Sequence, residues 1–173
     1  MPSVDSQQAP PVRRRSKALF SVGVAALVVL ADQLTKLIAL DRLQPGKAVH
    51  ILGEALQFVL VFNPGAAFSF LENATWVFTL LSTVVVVVIC TQLTKIVRTS
   101  WAVAVGLLLG GALGNLIDRL FRAPGFPEGH VVDFVYTPWL VPAVYNFADI
   151  ALTFAVVLLV LLSVLLPREK EQG

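Results

Sequence analysis

Four ionisable residues stand inside long apolar stretches of this chain: Asp32, Lys36, Asp118 and Asp149. An ionised side chain at the centre of a bilayer costs roughly 3 kcal/mol, so such groups face the protein interior or water and are candidates for chemistry. Asn115 precedes Asp118 by three residues and Asn146 precedes Asp149 by three, a spacing that puts each amide and carboxylate on one helix face. If the two faces meet, two carboxylates and two amides converge. Carboxylates that close in a low dielectric resist ionising together, and the pair tends to share one proton. The ionised member could take a proton from water attacking a peptide carbonyl, while the protonated member polarises the carbonyl and helps the amine leave. That is the working state of an aspartic protease, and it needs neither metal nor covalent intermediate.

The same residues also fit blander roles. Intramembrane carboxylates form interhelical hydrogen bonds and line proton or ion paths, so spacing alone leaves a structural role, a small proton-coupled transporter or a membrane scaffold open. A Ser–Lys dyad through Lys36 finds no serine at a constrained turn. Lys36 lies one helical turn from Asp32, which suits a mainly structural pair. His50 and His130 lack a second ligand at a recognisable spacing, so no metal site and no cofactor are expected. Cys90 is the single cysteine, which excludes a disulfide framework, and its apolar surroundings predict a buried, inert thiol.

The elements that must position these groups follow from composition. With 57% hydrophobic and 14% charged residues over 173 positions, the chain is built for lipid and leaves little room for a soluble domain. A bilayer core about 30 Å thick takes roughly 20 apolar residues per helix, and residues 18–40, 75–97, 101–121 and 142–166 qualify. The expected fold is therefore an α-helical integral membrane protein with four transmembrane helices. Arg13, Arg14, Arg15 and Lys17 before the first span, and Lys95 and Arg98 between the second and third, place those sites in the cytoplasm. Arg168 and Lys170 agree, so both termini are cytoplasmic and residues 41–73 and 122–141 form outer loops. The domain is 18–166, with a disordered basic tail at 1–17 and a short cytoplasmic tail at 167–173. Residues 13–31 also carry a signal-peptide pattern, but apolar character resumes after Lys36 and an anchor accounts for the topology.

With a helix rise of about 1.5 Å per residue, Asp118 lies about 24 Å beyond Ala102 and Asp149 about 25 Å before Leu166. Both carboxylates thus reach the same level near the outer face. Residues 56–62, followed by Asn63-Pro64-Gly65, and residues 131–136 read as strands that could pair into a small sheet over the outer helix ends. Trp76, Trp101 and Trp139 fall near span ends, where indoles anchor at interfaces. Gly106, Gly110 and Gly114 give the third span a face without side chains for close helix contact. Arg119, adjoining Asp118, could bind a lipid phosphate or a peptide carbonyl, or favour ionisation of its neighbour.

Taken together, Ala31-Asp32-Gln33-Leu34-Thr35-Lys36, Asn63-Pro64-Gly65-Ala66-Ala67-Phe68, Gly114-Asn115-Leu116-Ile117-Asp118-Arg119, Val131-Val132-Asp133-Phe134 and Tyr145-Asn146-Phe147-Ala148-Asp149 closely resemble, in this order, the motifs of the bacterial lipoprotein signal peptidases. The resemblance runs from about Phe20 to Leu166 and implies a four-span peptidase with a small extracytoplasmic β-sheet and an outer-loop helix. It implies an aspartic endopeptidase of the bacterial cytoplasmic (inner) membrane that removes signal peptides from prolipoproteins, cutting N-terminal to a diacylglyceryl-modified cysteine. Asp118 and Asp149 would be catalytic. Asn63 and Gly65 would help receive substrate, Asn115, Arg119 and Asn146 would surround the active site, and Asp32, Lys36 and Asp133 would support it. The implied partners are the prolipoprotein and membrane lipid, with no nucleic acid and a monomeric enzyme. The chain departs from the pattern in its long basic tail, an extended 123–129 loop, and Ile150 where a small residue is common.

Overall fold

The computed structural model describes residues 11–65 and 75–165. Residues 1–10 of the expected tail, 66–73 of the first outer loop and the C-terminal tail at 167–173 lie outside the described residues. Among the described residues, four helices are each long and apolar enough to cross a membrane: α1 (Pro11–Arg42), α2 (Thr75–Gln92), α3 (Thr99–Phe121) and α4 (Phe147–Leu165). α1 begins earlier than the expected span and takes in residues 11–17, which were read as disordered tail. Pro11 suits a first helical turn, whose N–H groups have no intrahelical acceptor, and no breaker separates it from the apolar run. At this end Lys17 Nζ donates to Thr99 Oγ1 at 2.6 Å, tying α1 to the start of α3.

α3 is the axial helix. Half of its span is buried, against 11% for α2, because its glycines admit the neighbours. A Cβ on Gly106 would sit 2.8 Å from the Ser21 carbonyl oxygen, and one on Gly110 2.8 Å from that of Ala25. The helices are therefore close enough for Ser21 Oγ to donate to the Ala102 carbonyl at 2.9 Å. On the other side a Gly111 Cβ would meet the Ala148 carbonyl of α4 at 2.7 Å. α2 packs more loosely through Ile89 against Leu109 and Ala25. Its outward face is apolar and exposed, as lipid contact requires. Cys90 lies on that exposed face rather than buried, since the valine-rich run around it is apolar all round and offers no single core stripe.

Outside the helices, four strands form one antiparallel sheet in the order β1 (Ala48–His50), β2 (Gln57–Asn63), β3 (Val131–Tyr136), β4 (Val144–Tyr145). β2 and β3 are the two strands expected from sequence, paired from Gln57↔Tyr136 at one end to Asn63↔Val131 at the other, with an irregularity between Phe58 and Val61. β1 and β4 are too short to read from alternation. β4 also explains why α4 starts at Phe147 and not near residue 142: Val144 and Tyr145 are committed to β3. Loop 122–130 returns across the end of α3, where Gly129 N donates to the Arg119 carbonyl at 3.1 Å. A Cβ on Gly129 would lie 2.5 Å from the Asp118 carbonyl oxygen, so only glycine fits. The described residues of the outer loops are strands and turns, and the outer-loop helix has no counterpart among them.

Candidate active site

Lys36 is the hub of a buried polar cluster. It is reached from one helical turn after Asp32 on α1, and its side chain is fully buried. Its ammonium lies 2.8 Å from Asp32 Oδ2 and 2.8 Å from Asp118 Oδ2, and donates to Asn115 Oδ1 at 3.0 Å. Its three protons are thus used by three acceptors. Asp32 in turn accepts the backbone N–H of Ala148 at 3.0 Å, which joins α1 to the first turn of α4. Gly114 makes room for this, because its Cβ would lie 2.6 Å from Asp32 Oδ2.

Asn146 and Asp149 do not simply share a helix face. They form a reciprocal cap at the start of α4, in which Asp149 N donates to Asn146 Oδ1 and Asn146 N donates to Asp149 Oδ2, both at 3.1 Å. This is a capping box with asparagine and aspartate in the usual polar roles, and a carboxylate there interacts favourably with the helix N-terminus. The other oxygen of Asp149, Oδ1, accepts from Asn115 Nδ2 at 2.8 Å. Asn146 Nδ2 extends the network, donating to Asn115 Oδ1 at 3.1 Å and to Asp133 Oδ1 at 2.6 Å.

Asp133 enters from β3, opposite Val61 of β2. Its second oxygen accepts from Asn63 Nδ2 at 2.9 Å, while Asn63 Oδ1 accepts the Gly65 N–H at 2.8 Å. The turn therefore aims the Asn63 amide at the carboxylate. Gly65 holds φ +96° and its missing side chain is replaced by the ring of Phe78, so the position demands glycine twice over. Arg119 is buried, stacks over Phe78 with its guanidinium carbon 5.6 Å from the ring centroid, and reaches the Pro64 carbonyl at 3.5 Å. It reaches a peptide carbonyl of its own chain and lies within electrostatic reach of Asp133, Asp118 and Asp149. Burial pushes the Asp133 carboxyl up to about 6; the Asn63 and Asn146 hydrogen bonds oppose the rise and the negative charge of Asp149 adds to it.

The cluster holds four carboxylates, Asp32, Asp118, Asp133 and Asp149, against three cations, Lys36, Arg119 and Arg122. With every group ionised its formal charge is −1, and the cations are unevenly distributed over it. Asp118 faces Lys36 at 2.8 Å and Arg122 Nε at 2.5 Å, and also accepts from Gln33 Nε2 and the Val132 N–H, both at 3.2 Å. It is fully buried and held by four donors. Asp118 and Asp149 belong to the same network, linked through Lys36 and Asn115: Lys36 meets Asp118 and Asn115, and Asn115 donates to Asp149. Asp149 also meets Asp133, the two bridged by Asn146 and coupled electrostatically. Asn63, Asn115 and Asp149 are half-buried, so this edge of the cluster, not Asp118, faces outward. Gln33 and Arg122 had no assigned role from sequence. Arg122 lies four residues after Asp118, a spacing that signals an ion pair on a helix end; Gln33 offered no such signal.

Comparison with known proteins agrees with this architecture. A protein-family model described as signal peptidase (SPase) II matches residues 24–165. The chain is 44% identical over 164 residues to a lipoprotein signal peptidase of Mycobacterium leprae, covering 95% of this chain and 80% of that one. It is 46% identical over 156 residues to one of Mycobacterium tuberculosis, covering 90% and 75%. A solved bacterial membrane enzyme superposes with a TM-score of 0.74 at 30% identity, over 86% of this chain and 93% of its own.

Proposed function

The chain belongs to the signal peptidase II family of proteases, and on that premise we propose that it is an aspartic endopeptidase that removes signal peptides from prolipoproteins. Its relatives are named for that substrate class. The cut falls N-terminal to a diacylglyceryl-modified cysteine, and the catalytic pair is Asp133 with Asp149. The observation that carries this reading is the Asn146 bridge, which sets Asp133 and Asp149 side by side at the outward edge of a cluster one proton short of neutrality.

The roles divide by surroundings. Asp149, at the N-terminus of α4 with two N–H donors, is suited to carry negative charge. It takes the proton of a water positioned between the pair. Asp133, raised to about 6, holds the shared proton when the cleft is covered, hydrogen-bonds the scissile carbonyl and passes the proton to the leaving amine. Asn63 and Asn146 hold Asp133, and Asn115 holds Asp149. Lys36, Asp32 and Asp118 form the scaffold that fixes Asn115 and the start of α4. Arg119 and Gly65 shape the substrate side through Pro64 and Phe78. The excess of basic residues at the opposite helix ends supports a location of the pair near the outer face of a bacterial inner membrane.

The test is cleavage of a diacylglyceryl-modified precursor against the unmodified one by purified protein. Cleavage confined to the modified precursor, and abolished in Asp149→Asn, is expected. Full cleavage by Asp149→Asn would sink the mechanism, and equal cleavage of both precursors would sink the substrate class.

A further inference from the structure

α2 packs loosely over most of its length, yet its first turns are held against the site. Thr75 and Thr79, one turn apart, are buried, and Thr79 Oγ1 donates to the Pro127 carbonyl at 2.6 Å, which fastens these turns to the loop after α3. Phe78 is carried by the same turns. Its ring fills the space that a side chain at Gly65 would take: a Cβ there would lie 2.5 Å from Phe78 Cδ2 and 2.9 Å from Cε2. The same ring lies under the Arg119 guanidinium, whose carbon is 5.6 Å from the ring centroid. The apolar contact of α2 with α3 is made by Ile89, about three turns further along the helix, so Phe78 is not the residue that joins those two helices.

Both groups that the ring meets act on Asp133. The Gly65 N–H donates to Asn63 Oδ1 at 2.8 Å, which orients the amide whose Nδ2 donates to Asp133 Oδ2 at 2.9 Å. Arg119 lies within electrostatic reach of the same carboxylate. Its hydrogen bond to the Pro64 carbonyl is long, 3.5 Å, and such a bond is too weak to fix a guanidinium; a stacked aromatic face does so through the ring quadrupole. We propose that Phe78 is a positioning residue of the proteolytic site, its ring seating the Asn63–Gly65 turn and the Arg119 guanidinium together and through them fixing Asp133. The inference rests on the reading of Asp133 as the proton carrier. An aliphatic side chain at this position still covers Gly65 but offers no face to the cation. With the cation loosened and the amide less well aimed, two influences that favour the ionised carboxylate weaken together.

The test is a pH–rate profile of the purified full chain on a diacylglyceryl-modified precursor, for the parent, Phe78→Leu, Phe78→Tyr and Asp133→Asn. In Phe78→Leu, kcat should fall by about 10- to 100-fold, the loss that a small misplacement of a working group produces. Its limb, expected above about pH 6 in the parent, should move up by roughly one pH unit. Phe78→Tyr, which keeps the aromatic face, should match the parent in both. The pH of the limb reports the ionisation of the working enzyme and not the amount of it that is folded, so a purely structural role would scale the profile without moving it. Phe78→Met, read in the same way, covers the case in which Phe78→Leu does not fold. Leu81→Ala, on the exposed face of the same helix, should leave the profile unchanged. A limb in Phe78→Leu at the parent's pH, with Asp133→Asn inactive, would overturn the role of Phe78 and leave the reading of Asp133 standing. Cleavage by Asp133→Asn at the parent's rate would overturn that reading and this inference with it.

Discussion

Replacing Asp118 by asparagine, and separately Asp133 by asparagine, should damage different properties of the protein. Asp118 neutralises Lys36 and Arg122 inside the helix bundle. Asp118→Asn leaves two cations short of a partner, one of them fully buried, and breaking a buried pair in this way costs about 3–5 kcal/mol. Against a total stability of about 5–15 kcal/mol, that is a large fraction. Asp133 is the opposite case. Its carboxyl is raised from 3.8 to about 6, so the folded state binds its proton more tightly than the unfolded chain does. The resulting stability is complete below about 3.8, falls as pH rises, and is gone above about 6, leaving a penalty of about 3 kcal/mol at neutral pH. Asp133→Asn removes that penalty while giving up hydrogen bonds worth about 1–3 kcal/mol. Its thermal unfolding in detergent at neutral pH should therefore match or exceed the parent's, while cleavage of a lipid-modified precursor falls by about 100- to 10,000-fold, the usual contribution of a general acid or base. Asp118→Asn should unfold well below the parent and lose cleavage in proportion to the folded fraction. An Asp118→Asn protein as stable as the parent but inactive, alongside an active Asp133→Asn protein, would refute the division of roles.

Three further outcomes follow. Under the proposed mechanism, in which Asp133 with its value of about 6 carries the proton, kcat/KM should decline above about pH 6, and Asn63→Ala, which removes a hydrogen bond favouring the ionised form, should move that limb to higher pH; a pH–rate profile of the two proteins checks the direction. Gly114→Ala should push Asp32 off Lys36 and destabilise the fold by about 1–3 kcal/mol, read as a lower unfolding temperature, whereas Gly23→Ala, which meets nothing, should not. Asn146→Ala should remove the α4 cap, costing about 1 kcal/mol, and in addition lower kcat by more than that stability loss explains, since the bridge between Asp133 and Asp149 goes with it; a kcat unchanged in the folded protein would count against the bridge.

Much of the architecture was legible before any coordinates. Hydropathy located the helices, glycine spacing marked the α1–α3 contact, and β-prone runs bounded by turn residues marked β2 and β3. The α4 start was misjudged because Val144 and Tyr145 are apolar enough to continue a helix, and only pairing with β3 claims them. Cys90 was misjudged because a fully apolar helix has no preferred buried face in its sequence. The Asn146–Asp149 spacing fits a shared helix face and equally the geometry of a cap, and the choice depends on where the helix begins.

By itself the sequence determined that the chain crosses a membrane four times, that its intramembrane polar residues gather towards one face, and which family its motifs resemble. These are one-dimensional properties, set by runs of apolar residues and by a helix rise that converts residue number into depth. Which partners each aspartate meets is decided only by the tertiary structure. Charges interact through space, and the cations that neutralise Asp118 come from α1 and from one turn further along α3, while the amide that brings Asp133 to Asp149 lies between a strand and a helix. Equal depth puts Asp118 and Asp149 in one network, but that Asp118 meets Lys36 and Asp149 meets Asn115 is set by packing between helices and cannot be read from depth.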